Sequence, residues 1–256
     1  MVIIKSIEEI KKIKEANQLI ARLYKEVLPK YIKTGISTYE IDQIIEDYLL
    51  SNNATGESKG YGKEYGNPYP AVSCISVNEV VVHGVPSKDI ILKDGDIVSI
   101  DVVTNLNGYI GDSAITYPVG EIDDESKKLL KVTEKAREIA IENLVVGKRL
   151  GDMGNAVQRY VEKNGFSVVR DFCGHGVGIK MHEEPMIPNY GRKGRGIKIE
   201  NGMVLAIEPM VNVGTYKVEL LSDGWTAVTK DRKRSAHFEH SVAIIGGKAV
   251  ILSELD

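Results

Sequence analysis

Two acidic residues, Asp101 and Asp112, stand inside the apolar stretch SIDVVTNLNGYIGDS at positions 99–113. An unpaired carboxylate is costly to bury in such a setting. The stretch reads as two strands joined at Asn107-Gly108, a strong signal for a two-residue type I′ turn because both turn residues need positive φ. Pairing Leu106 with Tyr109 places Val103 opposite Asp112 and Asp101 opposite Ala114. Side chains alternate along a strand, so the two acids project from one face as diagonal neighbours, about 7–8 Å apart. Carboxylates held that close repel, and one would take up a proton unless they share a cation. A turn one residue longer or shorter would send them to opposite faces, unless a bulge restored the alternation. The rest of the chain has to complete this site.

The flanking pattern occurs twice. Ser6 and Glu9 form a capping box, and Ile10, Ile13, Ala16, Ile20, Leu23 and Val27 follow at helical spacing, which predicts an amphipathic helix ending near Pro29. Gly35 breaks the chain, and Ser37 with Glu40 caps a second helix carrying Ile41, Ile44, Ile45 and Tyr48. Residues 54–70, rich in Gly, Tyr and Pro, read as a long loop, followed by strands over 72–77 and 80–85. A third helix begins near Asp123 and carries Leu129, Val132, Ala136, Ile139 and Leu144. Gly147 breaks it, and a shorter helix runs from about Asp152 with Met153, Ala156, Val157 and Tyr160. A shift of 112 residues places Gly35 on Gly147, Ile41 on Met153, Ile45 on Val157 and Tyr48 on Tyr160.

The strands realign with a shorter shift, as expected if the second half lacks most of the 54–70 loop. His83-Gly84-Val85 matches His175-Gly176-Val177, and DGDIVSID ending at Asp101 matches NGMVLAIE ending at Glu208. Asp112-Ser-Ala-Ile is echoed by Glu239-His-Ser-Val-Ala. The halves, about 1–120 and 121–256, therefore read as diverged α-α-β copies within one domain, each with two acids at corresponding strand positions. Pairing the halves about a pseudo-twofold axis brings Asp101, Asp112, Glu208 and Glu239 together.

Salt bridges to Lys or Arg are the plain alternative for these acids, but no cations sit at matching strand positions. A metal cluster with mainly oxygen ligands fits better, and such ligands with one or two imidazoles suit Mn, Fe(II), Co or Zn. Five histidines are available: His83, His175, His182, His237 and His240. His175 stands between Gly174 and Gly176, which let the backbone come close to whatever the ring binds. His182 follows seven residues later in HGVGIKMHEEP, a spacing that suits a turn returning to the same site. GHGVG is a poor phosphate loop because no capped helix follows it, and there is no GxSxG, CxxC or HExxH. The net charge of −3 gives no global pull toward DNA or a membrane. No apolar run reaches the length of a membrane span, and MVIIKSIEEI does not read as a signal peptide. Cys74 and Cys173 suggest no disulfide framework. The expected location is cytoplasmic.

The segments SVNEVVVHGVPS, GDIVSIDV, NGYIGDS, GHGVGIKMHEEP, NGMVLAIEP and SAHFEHSV resemble those of the type I methionine aminopeptidases, the pita-bread metallopeptidases. They run in family order over nearly the whole chain. The resemblance implies an α+β pita-bread fold, two pseudo-symmetric α-α-β halves with a central antiparallel sheet. It implies two divalent ions (Co, Mn, Fe(II) or Zn) on Asp101, Asp112, His175, Glu208 and Glu239, with Asp112 and Glu239 bridging. The carboxylate repeat already points to four of these five; the family supplies His175. By the same likeness His83 and His182 are catalytic histidines that orient the substrate, and Glu208 doubles as proton shuttle. Tyr69, Cys74, Met181 and Trp225 fall where the family lines its methionine pocket, the alternative being plain packing. Asn78, Val80 and Ser235 fall where it can hold one Na or K ion through loop oxygens.

The implied activity is removal of the N-terminal methionine from nascent proteins and peptides, with a preference for a small second residue. A metal-bridging water or hydroxide would attack, its pKa lowered from 15.7 toward about 7. His237 stands where the family commonly has Gln, Met181 where an aromatic is frequent, and the 54–70 loop matches poorly. No long insertion separates His182 from Glu208 and no N-terminal zinc-binding extension precedes the first helix, so the likeness is to the bacterial-type short form. A monomer is expected. The basic loops 191–198 and 230–234 read as solvated turns, with transient contact to ribosomal RNA as the sharper alternative. Two rivals are a proline-specific pita-bread peptidase, which usually carries an extra N-terminal domain, and a relative that binds peptides without catalysis, which would lack ligands.

Overall fold

The two capped helix starts anticipated from the sequence, and the two further helices, are present in the computed structural model, which describes residues 2–255. Helix α1 (Ile7–Arg22) is capped by Ser6, whose hydroxyl accepts from the Glu9 N–H while the Glu9 carboxylate accepts from the Ser6 N–H. Ser37 and Glu40 repeat the device at α2 (Thr38–Ser51), and Asp123 accepts from the Ser126 N–H ahead of α3 (Asp124–Glu142). Helix α4 (Leu150–Lys163) begins two residues before Asp152. Asp152 is not the start because its carboxylate reaches back to accept from the Arg149 N–H and also from that of Gly194. After Arg22 the first helix loosens into a π-turn (Leu23–Val27) and then a 3₁₀ turn (Leu28–Lys30) that contains Pro29. A proline there has no N–H to donate and crowds the carbonyl four residues back, so regular α geometry cannot continue through it.

The hairpin has the anticipated register. Ile97–Leu106 pairs with Tyr109–Pro118 with Leu106 opposite Tyr109, Val103 opposite Asp112 and Asp101 opposite Ala114. Asn107 (φ 54°) and Gly108 (φ 84°) form the turn, and the Asn105 side chain accepts from the Gly108 N–H. Ser73–Val77 lies on the other side of Ile97–Leu106, setting Cys74 opposite Asp101. The 54–70 loop is less irregular than its composition suggests. Thr55–Gly56 pairs with Thr104 and Asn105, and Lys63–Tyr65 forms a 3₁₀ turn. The strand expected over 80–85 stops at Val82, because His83 takes φ 58° and leaves the ladder.

In the second half five antiparallel strands lie in the order Lys248–Ile251, His240–Ile245, Val204–Ile207, Gly174–Gly176, Glu183–Ile187. The two sheets meet where the Glu239 N–H donates to the Ala114 carbonyl (2.9 Å). Beside it, Ser113 Oγ donates to the Glu239 carbonyl and Ser241 Oγ to that of Asp112. One apolar core, with Leu23, Ile41, Ile45 and Ile100, is built from residues before 120; another, with Leu129, Met153, Val157 and Leu205, is drawn mainly from residues after 120. A third joins Ile10, Ile13, Val103 and Ile110 to Val177, Val204, Ala206 and Ala243. No helix among the described residues is long and apolar enough to cross a membrane.

Helix α1 presses directly on the hairpin beside Asp112. A Cβ on Gly111 would stand 2.7 Å from the Ala16 carbonyl carbon and 2.8 Å from the Asn17 nitrogen, and the Asn17 side chain accepts from the Asp112 N–H. Gly111→Ala is therefore expected to destabilise by about 1–3 kcal/mol, since backbone on backbone leaves little room to give. Urea unfolding with an unchanged m-value checks this.

Candidate active site and metal centre

All four repeated carboxylates converge. Ligand oxygens of Asp101, Asp112 and Glu239 lie within 4.8 Å of one another. His175 Nε2 is 3.7 Å from Asp112 Oδ2 and 3.4 Å from Glu208 Oε1, which ties the fourth acid and the imidazole to the same cluster. The elements explain the convergence. Asp101 and Asp112 share a face of the hairpin, and His175 lies opposite Ala206 on the neighbouring strand of the second sheet. Glu208 directly follows Val204–Ile207, its carbonyl held by the Asn189 side-chain amide at 3.0 Å. Glu239 occupies the break between Ser235–His237 and His240–Ile245, facing the hairpin through its bond to Ala114.

Asp112 and Glu239 are almost completely buried, and among the described residues no Lys or Arg forms an ion pair with any of the four acids. Asp101 Oδ1 and Glu239 Oε1 are buried with no hydrogen-bond partner. Burial raises the Asp101 pKa to about 7, and burial together with the charges of the other acids pushes Asp112, Glu208 and Glu239 well above the carboxylate range. Arg137, whose guanidinium lies over the Phe238 ring, only slightly offsets this at Glu239. Burial, helped by His182, holds His175 down to about 4, leaving a neutral imidazole with a lone pair at pH 7. Orphaned acceptors, crowded anions and a neutral imidazole form a donor set suited to divalent cations.

The cluster lines a cavity of about 550 Å³ that is also lined by Tyr69, Cys74, Met181 and Trp225, so the anticipated pocket residues share one space with the acids. Tyr69 stands edge-on to Trp225 (5.4 Å) and donates its hydroxyl hydrogen bond within reach of both the Gly84 and Ser73 carbonyls. His83 and His182 both line it too. His83 is turned in by its left-handed backbone, rare for a residue with a side chain. Gly84 beside it cannot carry a Cβ, which would stand 2.3 Å from the Ile75 carbonyl oxygen. Burial lowers the His83 pKa to about 4, and its ring meets Phe172 edge-on. His182 stands at the mouth, edge-on to His175 at 4.4 Å, and desolvation lowers its pKa as well.

His237 also belongs to this cluster. Its Nε2 is buried without a hydrogen-bond partner, 3.7 Å from Glu208 Oε2. Tyr61 is among the cavity residues that no sequence motif marks: its hydroxyl lies 3.0 Å from His182 Nδ1, and its ring packs toward Trp225. Only the excess of tyrosine in the 54–70 loop hinted at it. Phe172, Cys173 and Met186 were also missed; they line the cavity from segments without a motif.

The remaining candidates lie elsewhere. Asn78 takes φ 52°, and its carbonyl accepts from the Ser235 N–H at 2.9 Å, bringing those two loops together, with Val80 opening the next strand. In the basic loop 230–234, Arg232 is paired with Glu219 and Arg234 with Asp123, while Lys230 and Lys233 are exposed. Backbone groups of the 191–198 loop bond to Arg149, Gly151 and Asp152 at the start of α4.

Residues 11–245 match the model of metallopeptidase family M24. The chain belongs to that family. It is 46% identical to a methionine aminopeptidase of Clostridium acetobutylicum over 99% of both chains. It is 49% identical to methionine aminopeptidase 1 of Bacillus subtilis over 95% of this chain and 96% of that one. The crystal structure of methionine aminopeptidase from Thermotoga maritima superposes with a TM-score of 0.95 at 44% identity, covering all of both chains. As an M24 chain with this fold it is a metallopeptidase, which agrees with the donor set just described.

Proposed function

We infer that this chain is a metal-dependent aminopeptidase that removes the N-terminal methionine from peptides and nascent proteins. The observation that carries the inference is the cluster of four carboxylates, two of them almost fully buried, with His175 in the lining of one cavity, in a chain close to half identical to methionine aminopeptidases. Asp101, Asp112, His175, Glu208 and Glu239 would hold two divalent ions, of Co, Mn, Fe(II) or Zn. Such ions lower the pKa of water toward about 7 and polarise a carbonyl, which supplies a nucleophile and an electrophile at neutral pH.

The protein's own groups do the rest. Glu208 would take the proton of the attacking water and pass it to the leaving amine. His83 and His182 are neutral at pH 7, so each can donate an N–H to a substrate oxygen without adding a charge to the site. Tyr69, Cys74, Met181 and Trp225 receive the methionine side chain; an unbranched thioether suits a wall of aromatic rings and sulfur. A narrow space beyond the scissile bond would prefer a small second residue. The two α-α-β halves form a single catalytic unit because neither holds the full ligand set: Asp101 and Asp112 come from one, the other three ligands from the second. Asn78, Val80 and Ser235 are proposed to hold one Na or K ion through loop oxygens, and the exposed Lys230 and Lys233 to touch ribosomal RNA. We place the enzyme in the cytoplasm as a monomer.

The purified, metal-supplied protein is expected to release free methionine from Met-Ala-Ser and to leave both N-acetyl-Met-Ala-Ser and Xaa-Pro dipeptides intact. Liquid chromatography of the digests reads this directly. Turnover of the Xaa-Pro dipeptides alone would replace the inference with a proline-specific activity.

A further inference from the structure

Lys5 and Glu183 form an ion pair with both side chains only 1% exposed, although 178 residues separate them. Burying two charges costs solvation, which their attraction offsets only when the remaining polar atoms are also satisfied. Here they are. Lys5 Nζ also donates to the Ile3 carbonyl, and Glu183 Oε1 accepts from the N–H groups of Ile179 (2.8 Å) and Lys180 (3.0 Å). Glu183 therefore closes residues 179–183 into a ring around its own carboxylate, and His182 is the residue immediately before it.

Lys5 and the Gly178 end of this loop are both anchored. The Lys5 N–H donates to the Gly202 carbonyl at 2.8 Å. Gly178 lies against the Lys5 stem: a Cβ there would stand 3.4 Å from Lys5 Cε and 2.5 Å from Ile13 Cδ1. The Gly178 carbonyl accepts from the N–H of Ile110, two residues from Asp112. The loop that carries His182 thus rests on the N-terminal segment on one side and on the acid-bearing hairpin on the other.

An apolar pair of similar volume would pack in this place at least as well, so packing alone does not account for the charges. We propose that Lys5 is a positioning residue for the reaction, holding the 178–183 loop through Glu183 in the shape that sets His182 over the site. This rests on the function inferred above. His182 meets His175 edge-on at 4.4 Å, so any slip of the loop moves its ring relative to the reacting groups, and a displacement of about 1 Å can cost about 10²-fold in rate.

Lys5→Met keeps the stem and removes the charge, and Lys5→Arg restores the charge. At 25 °C, with each variant folded, Lys5→Met is expected to lower kcat on Met-Ala-Ser by about 10–100-fold. Its affinity for Mn(II) should stay within about twofold, because no ligand is altered, and amide exchange at Ile179 and Lys180 should accelerate. Lys5→Arg should recover most of the rate. In a His182→Ala background, adding Lys5→Met should change kcat less than about twofold, because the effect passes through His182. An unchanged kcat in folded Lys5→Met overturns the proposal, and so does a loss fully additive with that of His182→Ala. Should Lys5→Met fail to fold, Glu183→Gln serves the same comparison, since it keeps an acceptor for both loop amides. If the unaltered enzyme releases no methionine, the functional inference fails by itself. Amide exchange at 179–180 and the His182 ¹⁵N resonances then decide the proposal: changes in Lys5→Met support it, and their absence overturns it.

Discussion

Asp112→Asn is expected to lose at least about 10³-fold in kcat/KM on Met-Ala-Ser and to retain less than its full complement of metal. The substitution is close to isosteric, so the loss reports charge and ligation rather than a cavity. Several kcal/mol of charge stabilisation are at stake in such a site, and each 1.36 kcal/mol is a factor of ten in rate. The same variant should be more stable than the unaltered chain once both are stripped of metal. Asp112 is buried among three other acids and in the metal-free protein is accommodated only by holding a proton, so an amide in its place removes that cost wherever the pH would ionise the group. Metal content, kcat/KM and the thermal midpoint of the stripped proteins test both halves of the expectation. Activity within tenfold of the unaltered enzyme would show that Asp112 does not hold the metal.

Chelation should make stability depend on pH in a direction unusual for carboxylates. A carboxyl whose folded pKa lies above its unfolded value binds more protons when folded. Its stabilisation is present at low pH and disappears as pH rises through the folded value. Asp101 titrates near 7, and Asp112, Glu208 and Glu239 are displaced in the same direction. The buried histidines act oppositely. His83 and His175 are held near 4 and His237 near 3, so their contribution is lost as pH falls below the ordinary histidine value of about 6.5. Below that value the two sets offset each other; above it only the acids still titrate. The stripped protein is therefore expected to lose stability as pH rises above about 6.5 through the range in which the acids ionise, and saturating divalent ion should abolish that slope. Urea titrations at a series of pH values, with and without metal, measure it. A flat profile in the stripped protein would mean that the four acids do not face one another in solution.

Much of the carboxylate cluster is readable in the sequence because its signals are short. A buried acid inside an apolar strand needs a partner whatever the fold, and two such acids per half, at matching points of a repeat, needed the same one. The family likeness added His175, which the glycines around it had only suggested. The 54–70 loop was the opposite case. Its glycines and prolines state that the backbone turns, but not where each tyrosine lands. Tyr61 reaches His182 across 121 residues and was invisible to any local pattern. The shortened strand at Val82 is similar. A continuous apolar run predicts that the ladder continues, whereas the close approach of Gly84 to Ile75 turns His83 out of it.

The sequence by itself determined the starts of the two box-capped helices and the hairpin register. A cap is set by residues three positions apart and a type I′ turn by two, and strand alternation then carries the facing of Asp101 and Asp112 without further information. Tertiary structure alone decided how the two sheets meet at Glu239 and Ala114, that His237 comes within 3.7 Å of Glu208, and that Lys5 finds Glu183. Those contacts join segments tens to nearly two hundred residues apart. At such separations no periodicity links the partners, and only packing of the completed cores brings them into reach.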